Sequence, residues 1–409
     1  MKATIYLSLI SSLFLYSCQS TDNKQVNIAD ATFTILSDPE NDATTPLTGQ
    51  YVDGSTFIYW IEKDSVTNKN IVAFSFADER TNKFGDRMYV PATIGCNDGH
   101  GQGMPRIAFK KDGTMIVVYH VRIPTEKSSY AGKIFYTMST DKGITWTPPT
   151  IIHNDTLPDH SHGFPALSRL PNGEVAAIWL DGRNKLPHSE LYMAQTKEGQ
   201  GFQETGKIGG PACQCCKLEM YLDQQNKLHV LYRGIGDSSI RDIMHIYTDS
   251  TGAFSGPEKI SNDGWMIKGC PHAGPGMLQV KDTLHYAWYT LGNGKGIYHT
   301  TSDLNATTYT KRRSIAANEF AKYPQLSQLN NGDLAIVWQE YTKSESTGYN
   351  RIMMEQHSKN GITVHTLTRE EDDASHPILT TIGNKDILLY EKTVNGKSVV
   401  GYKEIKTSF

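Results

Sequence analysis

The apolar positions of this chain come in short runs, and the runs repeat. In each repeat a proline leads a short apolar strand, a turn follows, and a second strand ends in an aromatic. Pro46 leads to Trp60, Pro105 to Tyr119, Pro165 to Trp179 and Pro324 to Trp338, each 14 residues on by subtraction, while Pro275 to Trp288 and Pro377 to Tyr390 are each 13. A further unit ends at Tyr232 and has Leu218 where the proline would be. Turn pairs such as Asp112-Gly113, Asn172-Gly173 and Asn331-Gly332 fall between the two strands. A third strand and an outer one follow; in the third unit they are Glu190 to Thr196 and roughly Glu204 to Ile208.

Four short antiparallel strands in a unit of about 40–60 residues describe a β-propeller blade. The predicted fold is therefore all-β: a seven-bladed β-propeller, with six blades and an irregular end as the alternative. The seventh unit stops after a third strand near Ser398 to Ile405, and Ala31 to Leu36 can supply the missing outer strand and close the ring.

The first residues differ. Met1-Lys2-Ala3-Thr4, an apolar run and Leu15-Tyr16-Ser17-Cys18 make a secretory signal. Cysteine after Leu-x-Ser resembles a bacterial lipobox, which implies cleavage before Cys18 and acylation of its thiol. The expected organisation is a signal peptide over 1–17, a flexible tether over 18–26 and one propeller domain over 27–409. Lipid alone would hold the chain to a bacterial envelope membrane, since no other apolar run approaches a membrane span. With 20% charged residues and a formal net charge of −3, the composition excludes disorder and offers no basic excess for nucleic acid. The chain is read as a monomer.

Ser139-Thr140-Asp141-Lys142-Gly143-Ile144-Thr145-Trp146 matches the Asp-box pattern Ser-x-Asp-x-Gly-x-Thr-Trp, with degenerate copies at Thr248 to Phe254 and Ser358 to Thr363. Physically it is a hairpin in which Asp binds backbone amides, Gly takes a positive φ and Trp packs between blade edges. On these motifs the chain resembles the sialidase-like propeller superfamily. The Asp-box sits on the outer rim and carries the fold rather than an activity.

Strand directions place residues before each leading proline and after each terminal aromatic at one mouth. Those residues are Asp98, His100, His120 and Arg122; His160, His162, Asp181 and Arg183; Cys213, Cys215, Cys216, Arg233, Asp237 and Arg241; Cys270, His272 and Tyr289; Lys322, Tyr323, Glu340 and Tyr341; and His376, Glu391 and Lys392. Cationic groups around a funnel suit an anionic oligosaccharide, with His162, Arg122, Arg233, Arg241, His272 and Tyr341 as candidate substrate contacts.

Two chemistries compete. Sialoside hydrolysis needs three converging Arg residues and a Tyr nucleophile relayed by Glu. Arg106-Ile107 matches part of the sialidase Phe-Arg-Ile-Pro motif, but the order here is Met104-Pro105-Arg106-Ile107-Ala108. Adjacent Glu340 and Tyr341 also point to opposite faces of a strand. β-Elimination at a uronic acid needs a cation for the carboxylate, a base for the C5 proton and an acid for the oxygen leaving C4. His100 and His120 with Arg183 on the next blade resemble the arrangement in seven-bladed ulvan lyases and the related ulvan oligosaccharide dehydratase. That resemblance implies His100 or His120 as base, Arg183 as carboxylate clamp and a tyrosine as acid, with Tyr232, Tyr289 and Tyr192 as candidates. A non-catalytic glycan-binding propeller is the third reading.

Cys213-Gln214-Cys215-Cys216 lies one blade before Cys270-Pro271-His272. Three thiols with a Cys or His from the neighbouring blade compose a tetrahedral zinc set. The ulvan-lyase-like propellers, which carry a structural zinc on a similar run, support that assignment by resemblance. Disulfide bonding in an oxidising compartment is the alternative. With Cys18 set aside, five of the six cysteines remain, an odd number.

Overall fold

The computed structural model describes residues 26–27, 31–97, 101–236, 239–306, 308–343 and 347–406. The signal and the tether as far as residue 25, with Cys18, and Asp98, His100 and Asp237 of the predicted mouth, lie outside the described residues. Seven sheets follow one another along the chain, each a meander of antiparallel strands. Blade three is representative, with His162–Arg169, Val175–Asp181, Ser189–Thr196 and Phe202–Ala212 paired in sequence order. Its outer strand is longer at both ends than the sequence suggested, because bulges carry it past the predicted stop at Ile208. In blade seven, Thr34–Ile35 pairs with Lys397–Ile405 and supplies the fourth strand. The ring is therefore closed by residues from both ends of the chain, and it has seven blades rather than six. Val26–Asn27 adds a short parallel strand to the outer edge of blade six.

The core is a set of wedges between neighbouring sheets, and the terminal aromatic of each second strand drives each wedge. Trp60 packs in the cluster shared by blades seven and one, Tyr119 in that of one and two, and Trp179 in that of two and three. Tyr232, Trp288, Trp338 and Tyr390 occupy the next four wedges in order. Every one of the seven packs against the preceding blade and is at most 2% exposed. Burying one such ring stabilises the fold by about 3 kcal/mol, so the repeat visible in the sequence is the repeat of the dominant packing contact.

A polar tie accompanies the indoles. Trp60 Nε1 donates to Glu62 at 2.9 Å, Trp179 Nε1 to Asp181 at 2.7 Å and Trp288 Nε1 to Asp263 at 2.6 Å. Glu62 and Asp181 stand two residues past their aromatics and so point to the same side of the strand, whereas Asp263 reaches Trp288 from the segment before blade five; each satisfies a buried N–H that would otherwise be orphaned.

The Asp-box folds as expected. Asp141 Oδ1 accepts from Ser139 Oγ at 2.7 Å and from the Thr145 N–H at 2.9 Å, and Trp146 Nε1 donates to Gly143 O at 3.0 Å. The Thr145 hydroxyl first, then the Thr145 N–H and the Ser139 hydroxyl, hold the Asp141 carboxyl at about 2. Gly143 has φ +89, and a Cβ there would fall 2.4 Å from the Phe74 ring of blade one. The copy at Thr248 to Phe254 forms the same hairpin, with Asp249 accepting from Thr251 and Ala253.

Candidate functional site

The inner strands of blades one, three, six and seven share one distortion. Thr45, Phe164, Tyr323 and His376, each followed by the leading proline, have φ of 54, 56, 56 and 52. The register slips at the same step in all four strands. Such a bulge re-aims a side chain that alternation would have placed elsewhere. In blades one, six and seven the re-aimed Thr45, Tyr323 and His376 line one depression of about 360 Å³, with Thr44, Gly101, Gln339, Asn350 and Ser375. A narrower channel beneath it is lined by Gln102, Arg106, Lys217 and Gln325 among others. Gln102 Oε1 accepts the backbone N–H of Gly274 at 2.9 Å and of Lys217 at 3.3 Å, so the chain entering blade two reaches across to blades four and five. Among the described residues, no carboxylate side chain lines either space, whereas Arg106, Lys217 and His376 do.

His376 is the most constrained ring of the depression. Its Nδ1 lies 3.0 Å from Glu391 Oε2, its backbone N–H donates to Gln339 Oε1 at 3.0 Å, and its ring stacks on Tyr323 with centroids 5.5 Å apart. Glu391 Oε2 also accepts from Thr44 Oγ1 at 2.6 Å and from the Thr45 N–H at 3.1 Å. Burial alone would raise the Glu391 pKa, but the bonds from His376, Thr44 and Thr45 hold it at about 2. An ionised carboxylate can only accept, so Nδ1 carries a hydrogen, and in the neutral form of the ring the lone pair is on Nε2. That Nε2 faces Gly101, where a Cβ would stand 2.9 Å away.

Blades two and three hold the residues that the sequence ranked highest. His120 is 7% exposed, and its Nδ1 lies 3.2 Å from Asn97 Nδ2. Burial first, then Arg122 and His162, push its pKa down to about 4. His162 is buried between Asp181 at 3.1 Å and Asp155 at 3.2 Å, and it stacks on His153 at 3.8 Å. Arg183, expected as a carboxylate clamp, already holds two carboxylates. It binds Asp181 at 2.8 Å and Glu204 at 2.9 Å, and lies flat on Tyr192 at 4.0 Å. Arg122 is exposed and sits 4.9 Å over the Tyr130 ring.

The remaining candidates scatter. Tyr232 is 1% exposed within the wedge between blades three and four. Tyr289 is 3% exposed and donates its hydroxyl to Glu319 O at 2.7 Å. Burial raises both phenols to about 12. Arg233, expected among the substrate contacts, is fully buried. Its Nε donates to Ala273 O at 3.0 Å, Nη1 to Arg241 O at 2.7 Å, and Nη2 to Ala273 O at 2.7 Å and Tyr289 O at 2.8 Å. Arg241 donates to Ile267 O and to Cys213 Sγ. Tyr341 packs edge-on to Phe320 at the surface, and His272, half-buried, has φ 46.

The cysteines of blades four and five do converge. Cys213 Sγ lies 3.8 Å from Cys215 Sγ and 3.7 Å from Cys216 Sγ, and Cys215 is joined to Cys270 as a disulfide with Cα atoms 6.2 Å apart. The bond from Cys216, against the effect of burial, and then the charges of Arg241 and Arg233 hold the Cys213 thiol down at about 6. A zinc ion bound tetrahedrally by thiolates about 2.3 Å away separates its sulfurs by about 3.8 Å, so the two open edges match that geometry. Four zinc-bound thiolates leave a charge of −2. Among the described residues, Arg233 and Arg241 make no ion pair with a carboxylate, and both lie against this cluster. With Cys215 and Cys270 reduced, the donor set and its surrounding charge fit zinc; joined as a disulfide, those two sulfurs do not.

Sequence reasoning placed His376, Tyr323 and Glu391 at the mouth without assigning them work. The signal was the recurrence of Lys-Tyr-Pro at 322–324 and Ser-His-Pro at 375–377 at equivalent repeat positions.

No protein-family model matches the chain, and no curated protein matches it in sequence. Among solved structures, an ulvan lyase of polysaccharide lyase family PL25 is 12% identical over 91% of this chain and 96% of its own, with a TM-score of 0.57. The polysaccharide lyase Uly1 is 10% identical over 95% and 94%, with a TM-score of 0.51. The NanB sialidase from Streptococcus pneumoniae is 12% identical over 94% and 71%, with a TM-score of 0.49. The chain is a seven-bladed β-propeller similar in fold, over nearly its whole length, to two polysaccharide lyases.

Proposed function

We propose that the protein is a carbohydrate-active enzyme that works on an anionic, uronate-containing oligosaccharide of the ulvan kind by β-elimination, as a lyase or a dehydratase. The observation that carries this reading is the funnel, lined by Arg106, Lys217 and His376 and, among the described residues, by no carboxylate. Such a lining favours an anion, although Lys217 is paired with Glu219 at 3.1 Å and the ionised Glu391 stands behind His376, so Arg106 is the main source of positive charge. Neutralising the sugar carboxylate acidifies the C5 proton, and a histidine with a free lone pair removes it. The shared fold with an ulvan lyase solved with -[GlcA(1-4)Rha3S]- bound supports the substrate class by analogy.

The test uses the soluble chain starting after Cys18. Incubated with uronate-containing ulvan oligosaccharides, it should raise the ultraviolet absorbance as a conjugated double bond forms at C4–C5. Product masses then separate glycosidic cleavage from loss of water. A flat trace with every uronate oligosaccharide tried sinks the elimination reading. Release of sialic acid from sialosides would then establish hydrolysis, and retention of oligosaccharide without turnover would establish a binder.

Two further properties belong to the same proposal. The chain is lipid-anchored at Cys18 in a bacterial envelope, and mass spectrometry of the membrane-extracted protein should find an acylated N-terminal cysteine. A structural zinc, held by Cys213, Cys215, Cys216 and Cys270, pins blade four to blade five. Protein purified under reducing conditions should carry about one zinc per chain by elemental analysis. A metal-free protein with Cys215 and Cys270 oxidised would replace the zinc with a disulfide.

A further inference from the structure

The elimination reading leaves open which histidine moves the proton, and the geometry points to His376, with Glu391 fixing its tautomer and Tyr323 as the acid, on blades six and seven rather than two and three. This assignment rests on the proposed elimination. Three independent features of the structure support it.

The first is accessibility. The His376 side chain is 23% exposed and lines the 360 Å³ depression, whereas His120 is 7% exposed and looks toward Gly132, where a Cβ would fall 2.3 Å from its Nε2. A base must come within hydrogen-bond reach of the carbon-bound proton, and His376, although its Nε2 also passes close to Gly101, lines a space wide enough for a sugar, whereas His120 is buried. The second is orientation. Glu391 accepts from Nδ1 and is itself anchored by Thr44 and Thr45, so the ring cannot turn its lone pair away from the funnel. The third is strain. His376 holds φ 52 directly before Pro377, a step it shares with Thr45, Phe164 and Tyr323 and one that costs a non-glycine residue about 1–3 kcal/mol; here it turns a titratable ring into the depression, with the Gln339 bond to its backbone N–H holding it. Tyr323 holds the same strained step one blade earlier, which brings its ring against that of His376.

The step balances. His376 Nε2 takes the C5 proton, and the C5–H electron pair becomes the second bond between C4 and C5. The C4–O bond breaks, its electrons leave with the oxygen, and the Tyr323 hydroxyl protonates that oxygen. Tyr323 is suited to hold its proton until then, because burial raises its pKa above that of a free phenol. The imidazolium loses its proton to solvent, and the phenolate regains one. Arg106 lies on the floor beneath, where it offsets the charge of the sugar carboxylate, beside Lys217, whose ammonium is shared with Glu219 at 3.1 Å.

The experiment compares His376→Gln, Glu391→Gln, Tyr323→Phe and His120→Gln in the absorbance assay, with thermal melts to verify folding and a titration with oligosaccharide followed by protein NMR. His376→Gln should lose about 10³-fold or more in kcat while still binding oligosaccharide. Glu391→Gln should lose about 10–100-fold in kcat with KM nearly unchanged, as expected of a positioning residue. His120→Gln should stay within tenfold of the parent. If His376→Gln does not fold, Tyr323→Phe carries the test with a loss of about 10²-fold or more. A parent that eliminates while His376→Gln or Tyr323→Phe keeps pace with it overturns the assignment and leaves the elimination standing. A parent inert toward every uronate oligosaccharide overturns both.

Discussion

Acidified from pH 7 to pH 5, the folded protein loses several kcal/mol of stability without losing any disulfide, metal or ligand. The cause is its buried histidines. Burial, and then neighbouring histidines or arginines, hold His120 and His285 at about 4 and His153 and His299 at about 3. His229 and His245 are pushed down as well, again chiefly by burial. They form neutral pairs across strands: His229 Nδ1 lies 3.0 Å from His245 Nε2 in blade four, and His285 Nδ1 lies 3.1 Å from His299 Nε2 in blade five. Unfolded, each ring titrates near 6.5, so on acidification the unfolded chain binds protons that the folded chain refuses. The stability these rings contribute is complete above about pH 6.5 and is lost as the pH falls toward 3–4. At pH 5 the unfolded ring is about 1.5 units into its charged range, which is up to about 2 kcal/mol for each dry ring. Taking roughly half of that for four rings gives about 4 kcal/mol. At roughly 0.8 kcal/mol per degree for a chain of this size, calorimetry should find the Tm about 5 °C lower at pH 5 than at pH 7. Below about pH 4.5, protonation of Glu391 and Glu355, both held at about 2, adds to the loss. A Tm that is flat between pH 7 and 5 would mean that the rings are charged or hydrated in the folded state.

Arg233→Met should cost about 3–5 kcal/mol, more than any change at the funnel. The guanidinium is fully buried, sits 4.8 Å over the Trp265 ring and satisfies three carbonyls from three segments of chain. Methionine keeps most of the volume but leaves those acceptors without donors, and each buried orphan costs about 1–3 kcal/mol. It also removes positive charge from beside the cysteines, so the content of the zinc proposed there should fall with stability. Arg233→Lys should recover only part of the loss, because an ammonium cannot reach three acceptors in the planar geometry of the fork. Denaturant midpoints and elemental zinc measure the two effects together. A variant as stable as its parent would refute the structural role assigned to Arg233.

The same residue shows where sequence reading stops. The period of prolines and aromatics revealed every second strand, because Trp60, Tyr119, Trp179, Tyr232, Trp288, Trp338 and Tyr390 each fill the wedge that holds two blades together. A packing contact repeated seven times leaves a repeated letter. The closing strand was legible for a related reason, since one blade lacked a fourth strand and one N-terminal segment lacked a sheet. The mouth was legible only as a roster. Strand direction says which residues lie at one end but not which of them turn inward. Arg233 and Arg183 both lie past a terminal aromatic, yet one is covered by backbone and the other is held by Asp181 and Glu204. His376 was hidden because a bulge at the proline step reverses the alternation that would otherwise decide its direction.

The clasp formed by Thr34–Ile35 and Lys397–Ile405 imposes an order on the life of the chain. The strand ahead of blade one must wait for the third strand of blade seven, so the circle stays open until all seven blades have been made. Until then the apolar flank of blade one, with Trp60 and Ile58, has no blade seven to cover it. A chain that cannot complete its fold early stays open until its last blade is made. The exposed flank is also where a half-made chain would stick to its neighbours.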